Sequence, residues 1–337
     1  MSIHSRKKDH LDICFNDTTE RNHNSFDNYI FTHNALPEID FNEIDISQKF
    51  LGYTLQSPLL ISGMTGGTRK GMKINHTLAK AAEQEKIAFG LGSQRILLED
   101  EGTFPSFEVK PLLKSVPLIG NLGAVSLNYG LSADDVNRAI DLVSADALFL
   151  HLNPLQEVIQ HDGDTNFSGL LAKIQDAAAH TKKPLFIKEI GTGISYDVAK
   201  KLFEAGISTV DVSGKGGTTW SYIESKRNEV ENRLREELFF DWGINTPEAL
   251  KECSRVEGLT LLAGGGIRTG LDVAKSIALG ARICSLGLPL LKSTEESVES
   301  VCQYIQKVTY ELKVAMFCVG AKNLHELSQV SLRCKQD

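Results

Sequence analysis

From residue 58 onward, short apolar runs alternate with segments whose apolar residues recur at helical spacing. Residues 58–62, 87–91, 117–119, 147–150, 184–187, 208–212, 259–263 and 281–286 each read as a strand that is apolar along nearly its whole length. Strands of that kind are buried on both faces, as a parallel sheet requires. Between most of them the spacing predicts helices, at 72–86, 133–143, 170–179, 197–205 and 271–279. Eight such units close into an α/β fold of the (β/α)8 TIM barrel type; an open doubly wound sheet is the other arrangement of the same units. Residues 1–56 break the pattern. They hold the basic cluster Arg6-Lys7-Lys8, then Asp9 and His10, a polar stretch to Asn34 and the loop ALPEID at 35–40. They read as an N-terminal extension that packs against or lids a barrel of residues 57–337, with a solvated charged tail as the plainer alternative.

The polar residues sharpen this picture. Thr65, Ser93, Gln94, Arg95, Asn121, His151, Asn153, Gln156, Glu157, Lys188, Ser213 and Thr218 all fall at or just past the carboxyl ends of predicted strands. One such residue is usually a helix cap. A set drawn from most of the strands marks the barrel face where chemistry is done. Gly264, Gly265 and Gly266 follow the seventh strand, with Arg268 just beyond and a predicted helix after it. Bare backbone, a helix start and a full positive charge together suit a small anion such as a phosphate, though a tight turn without ligand has the same pattern. Lys188 puts a cation in the barrel mouth, where it requires an anionic partner, a Schiff-base role or an ion pair such as one with Glu189. A ring cofactor with a phosphate tail fits this layout, and FMN is the natural candidate. Its ring edge would meet Thr65, Ser93 and Asn121, and Lys188 would face the N1–C2=O edge. Glu157 could hold Mg²⁺, an ion that keeps its waters and bridges to substrate phosphates; a capping or salt-bridge role is equally consistent with its spacing.

The totals exclude more than they assign. The 337 residues are 42% hydrophobic and 23% charged, as in an ordinary globular protein, and a net charge of −7 argues against an extended nucleic-acid surface. No apolar run is long enough to span a membrane, and the polar first residues hold no apolar signal core, so a cytoplasmic protein is expected. The six cysteines form no CxxC pair, which points to reduced thiols rather than disulfides, zinc or an iron–sulfur cluster.

The motifs RKKDH, ALPEID, MTGG, GSQR, GNLGA, HLNPLQE, KEIGTGIS, SGKGGT with Ile223, Glu224 and Arg227, DWGI, GGGIRTG and MFCVGA, in this order along nearly the whole chain, resemble the type 2 isopentenyl-diphosphate isomerases. The resemblance implies an FMN-dependent barrel, a homo-oligomer of four or eight chains, that interconverts isopentenyl and dimethylallyl diphosphates with Mg²⁺ and with flavin reduced through NADPH. It implies that Arg6, Lys7 and His10 clamp the substrate diphosphate and that Ser93, Gln94 and Arg95 help bind substrate or flavin. Gln156, with His151 and Asn153, would face the reacting carbons, and Glu157 would bind the metal. FMN would lie on Gly63, Met64, Thr65, Ser93, Asn121, Lys188, Ser213, Thr218, Gly264, Gly265, Gly266, Arg268, Leu286 and Gly287. Leu286 departs from the family pattern, where a smaller residue is expected. No strong acid stands at the strand ends, so reduced FMN itself is the expected acid–base group. Hydroxy-acid oxidases of the same barrel type use a histidine before the phosphate-binding strand, and here none lies between His180 and His325. A nucleotide-oxidising dehydrogenase would need a cysteine after the sixth strand, and none lies between Cys14 and Cys253.

Overall fold

The computed structural model describes residues 3–16, 19, 24–227 and 238–335, with the side chains of Ile3 to Arg6 and of Lys8 outside the description. The eight expected strands are present. They are β1 (Leu59–Ile61), β2 (Ala88–Gly90), β3 (Leu118–Gly123), β4 (Ala147–His151), β5 (Leu185–Lys188), β6 (Thr209–Asp211), β7 (Thr260–Ala263) and β8 (Ala281–Leu286). All neighbours run parallel, and β8 returns to β1, so the sheet closes and has no edge. The open-sheet alternative is thereby excluded.

The helices start and stop where local chemistry dictates. Helix α1 spans Ile3–Asn16 and α2 spans Arg69–Glu85. Thr68 caps α2 by accepting the Gly71 N–H, and Lys86 ends it in the left-handed region. Helix α3 (Ala133–Val143) opens on a Ser132–Asp135 capping box and stops at Ser144, matching the predicted span. After them come α4 (Leu170–His180), α5 (Tyr196–Glu204), α6 (Trp220–Arg227), α7 (Thr246–Cys253) and α8 (Gly270–Ala278). A 22-residue helix, α9 (Val298–Val319), follows the barrel and buries Val301, Ile305, Val308, Leu312 and Met316 on one stripe against α2 and α8.

Strand β3 runs four residues past its expected end, through GNLG. Asn121 lies inside it because Gln94 supplies both partners its backbone needs: the Asn121 N–H donates to Gln94 Oε1 (2.9 Å) and the Gln94 N–H donates to Asn121 O (2.8 Å).

The N-terminal segment serves both ends of the barrel. Helix α1 lies over the carboxyl rim, whereas the hairpin of Gln48–Phe50 and Tyr53–Leu55 closes the amino end. There Tyr53 Oη donates to Asp146 (3.2 Å), ahead of β4, and Arg282 at the start of β8 donates to Lys49 O (3.0 Å). Tyr29–Phe31 pairs antiparallel with Leu332–Cys334, tying the segment to the C-terminal end of the chain. No helix among the described residues is long and apolar enough to cross a membrane.

Candidate active site

The carboxyl ends of the strands open into a cavity of about 250 Å³, against about 20 Å³ for the cleft beside it, so the cavity and not the cleft has room for an organic cofactor. One side is built from two loops that meet through bare backbone, 214–218 after β6 and 264–268 after β7. Gly265 has φ +90°, and a Cβ there would lie 2.0 Å from Gly214 O; a Cβ on Gly217 would lie 2.8 Å from Gly266 N. Only glycine permits that approach. Beyond the loop, Asp272 accepts from the Arg268 N–H (3.0 Å), the Thr269 N–H (2.9 Å) and Thr269 Oγ1 (2.9 Å), which starts α8 at the cavity wall. The positive end of that helix and the Arg268 side chain border the cradle.

Lys188 lines the floor. Its Nζ donates to the backbone carbonyl of Glu189 (2.9 Å), not to the Glu189 carboxylate. That carboxylate accepts the N–H groups of Ile190, Gly191 and Thr192 at 2.6, 2.7 and 2.5 Å and the Thr192 hydroxyl at 2.5 Å. A Lys188–Glu189 side-chain pair is therefore not what the chain builds. Burial pushes the Lys188 amine below its usual range, and the charges of Asp211 and Glu189 act against that. Beside it, His151 Nδ1 lies 2.8 Å from Asn121 Oδ1. Burial, then the neighbouring Lys188 charge, hold His151 down to about 3, so the imidazole is neutral at physiological pH.

The third wall is a hydrogen-bonded cluster on the short helix Pro154–Ile159 and on α6. Asn153 Nδ2 donates to Gln156 Oε1 (3.0 Å) and to Glu157 Oε1 (2.8 Å), and the Asp164 N–H donates to Glu157 Oε2 (2.8 Å). Gln156 Nε2 donates to Glu224 Oε1 (3.0 Å), which also lies 2.8 Å from His10 Nε2 of α1, and Arg227 holds Glu224 Oε2 at 2.6 Å. Glu224 is fully buried. Burial alone would raise its pKa, but His10, Gln156 and Arg227 outweigh it and hold the carboxyl down to about 2.

These two groups set an acid limit on stability. The unfolded chain protonates His151 below about 6.5 and Glu224 below about 4.5, while the folded chain resists until about 3 and about 2. In both windows the unfolded state binds more protons, so stability falls as pH falls. Thermal melts from pH 7 to pH 3 are expected to show that decline. Glu224→Gln should flatten its lower part, and an unchanged slope would mean that the Glu224 charge is not held.

The cavity gathers Lys7, His10, Gly63, Met64, Thr65, Ser93, Arg95, Asn121, His151, Asn153, Gln156, Glu157, Lys188, Ser213, Thr218, Gly265, Gly266, Arg268 and Gly287. The Arg6 side chain lies outside the described ones. Three expected residues do not line it. Gln94 is fully buried, its Nε2 donating to Ala139 O (2.8 Å) and its Oε1 holding the Asn121 N–H, so it braces β3 rather than reaching a ligand. Gly264 packs against Ser213, Ser285 and Asp211, and Leu286 faces the barrel core. Trp220, Ser285 and Leu288, which line the cavity, were not among the expected residues, and Glu224, which anchors Gln156, was named only within a motif and given no role. The available signal for Ser285 was its position as the polar residue of a buried strand; Trp220 carried none.

The FMN-dependent dehydrogenase family matches residues 9–100 and 147–334. The isopentenyl-diphosphate delta-isomerase of Rickettsia akari is 41% identical over 333 residues, covering 98% of this chain and 97% of that protein. The enzyme of the same name from Nostoc sp. is 44% identical over 333 residues, covering 96% and 93%. Among solved structures, a flavocytochrome b2 variant with sulfite bound superposes with a TM-score of 0.71 at 20% identity, covering 96% of this chain and 82% of that one. Mandelate oxidase with (S)-2-phenylpropionate does so with a TM-score of 0.67 at 18% identity, covering 99% and 98%. At such identities these two attest the fold alone. The two isomerases match nearly from end to end, and the chain belongs to the FMN-dependent dehydrogenase family, in its isopentenyl-diphosphate delta-isomerase branch.

Proposed function

We propose that the chain interconverts isopentenyl and dimethylallyl diphosphates with reduced FMN as the acid–base group. The observation that carries this reading is one cavity that joins a two-loop glycine cradle, a buried lysine and a carboxamide–carboxylate cluster under the basic helix α1. The residues present fit FMN. The cradle leaves no space for a side chain, as close approach of a phosphate requires, and Arg268 supplies charge beside it. Gly63, Met64, Thr65, Ser93, Asn121, Ser213, Thr218 and Gly287 would hold the rest of the cofactor, with Lys188 at the ring edge. Bound there in reduced form, FMN would supply the acid–base chemistry that the double-bond shift requires.

The chain's own part is placement and charge. Gln156 is held by a donor to its Oε1 and an acceptor for its Nε2, so its amide is fixed in the cavity wall. Neutral His151 keeps a second cation away from Lys188. Lys7 reaches from α1 to donate to Ser93 O (3.0 Å), which sets a cation over the mouth; with Arg95, and with Arg6 from the same helix, it would grip a diphosphate. Helix α1 is thus read as the lid of a barrel beginning near residue 57. The residues also fit Mg²⁺. Among the described residues no three His, Cys, Asp or Glu side chains converge on a metal position. An ion at Glu157 would therefore keep most of its waters and lean on substrate phosphate. The buried Asn153 Oδ1 in the same cluster has no hydrogen-bond partner and offers a further oxygen. NADPH as reductant, a cytoplasmic location and a homo-oligomeric state complete the reading.

Anaerobic incubation with FMN, NADPH, Mg²⁺ and isopentenyl diphosphate tests it. Dimethylallyl diphosphate is the expected product, and none formed with the flavin visibly bleached would refute the assignment. Lys7→Ala is expected to raise KM about tenfold or more, the loss of one charged contact, with kcat and the flavin spectrum retained. Unchanged kinetics would remove Lys7 from the diphosphate site.

A further inference from the structure

Three consecutive strands set ionisable side chains next to one another inside the barrel. The register pairs His151 of β4 with Lys188 of β5, and Lys188 with Asp211 of β6. Asp211 is fully buried, and the reading above gives it no role. Its Oδ1 accepts the Ser213 N–H (3.0 Å) and Ser213 Oγ (2.9 Å), and its Oδ2 accepts Ser285 Oγ (3.1 Å). Those three donors are neutral: they solvate a carboxylate without cancelling its charge. Its register partner across the strand pair is Lys188, on whose charge Asp211 acts more strongly than Glu189 does.

The other groups around Lys188 supply less opposite charge or none; Glu189 acts on it too, but after Asp211. The Glu189 oxygens are turned to the backbone of 190–192, and burial raises the Glu189 pKa. His151 is neutral. Cys284, on β8 near Asp211, is pushed up chiefly by burial and stays a thiol.

We propose that Asp211 is the counter-charge that keeps the Lys188 ammonium charged inside the barrel, and is thereby a positioning residue for the cofactor edge that Lys188 faces. The proposal rests on the placement of FMN against Lys188 given above. An ammonium in a low-dielectric interior without an opposite charge gives up its proton. A neutral amine cannot offset negative charge on a reduced ring.

The reduction potential of bound FMN in four proteins tests it. Lys188→Met is expected to lower the potential, and Asp211→Asn to lower it too, each by about tenfold or more in the two-electron equilibrium, about 30 mV. In the Lys188→Met background, Asp211→Asn should lower it no further and should raise it, because only a negative charge is then removed. A merely structural role, through Ser213 and Ser285, would lower the potential in both backgrounds and would overturn the proposal, as would an unchanged potential in Asp211→Asn alone. If Lys188→Met leaves the potential unchanged, it is the flavin placement that fails. Should Asp211→Asn not fold, NMR of the wild-type holoprotein with lysine labelled at Cε decides the point. A Lys188 ammonium at pH 7 supports the counter-charge, and a neutral amine at that pH overturns it.

Discussion

Gly265→Ala is expected to yield a folded barrel that no longer retains FMN. The residue sits at φ +90°, and the added carbon would lie 2.0 Å from Gly214 O, 2.8 Å from Gly214 N and 2.8 Å from Thr246 Oγ1. The first two are backbone atoms of the facing loop and cannot swing aside as a flexible side chain would. The left-handed conformation alone costs about 1–3 kcal/mol for a residue with a side chain. Relief of the contact must part loops 214–218 and 264–268, the two halves of the cradle. A loss in FMN affinity of about a hundredfold or more is expected, each factor of ten being about 1.4 kcal/mol. Flavin-fluorescence titration of the apoprotein measures it, with circular dichroism to show that the fold persists. Gly130→Ala is the control: its φ is +100°, yet a Cβ there meets nothing within 4 Å. It shares the backbone strain but lies outside the cradle, and should bind FMN as the wild type does. Wild-type affinity in Gly265→Ala would show that the phosphate does not lie there.

Gln156→Leu is expected to lower kcat by about two to three orders of magnitude, the range for losing one preorganised hydrogen-bonding group at a reacting centre, while FMN stays bound. Leucine keeps the bulk but loses both contacts that fix the amide, to Asn153 and to Glu224. Stopped-flow turnover under anaerobic conditions, read beside the flavin spectrum, separates this from cofactor loss. The profile is opposite to that expected for Lys7→Ala, where KM moves and kcat does not. Near-normal kcat in Gln156→Leu would move Gln156 from the reacting centre to the scaffold.

Most of the barrel was legible in the chain because its strands are buried on both faces and interrupted at regular intervals by amphipathic helices. Those are local properties, and they survive without any knowledge of neighbours. Helix α3 was readable to the residue from the spacing of its apolar positions, and the structure shows its ends fixed by the Ser132–Asp135 capping box and by Ser144. The site was legible as a set because closure of the sheet brings every strand's carboxyl end to one rim. Polar residues that are scattered over 200 positions of sequence therefore share one cavity.

What remained hidden depends on partners distant in the chain. Gln94 sits between Ser93 and Arg95, and nothing local distinguishes it from them. Only the approach of β3 and α3 turns its amide inward, to Asn121 and Ala139. Glu224 stands in the sequence only as a member of a family motif without a role, yet α6 packs it against His10 and Gln156, which lie 214 and 68 residues away. Asp211 reads as one position within an apolar strand, and its neighbour Lys188 appears only through the register of β5 with β6. Hydrophobic periodicity, which acts over a few residues, thus sufficed for the barrel and for the rim that bears its chemistry. Which side chains brace the walls and which face a ligand was decided by packing between remote strands, since the charge and hydrogen-bonding state of a buried group depends on what closes around it.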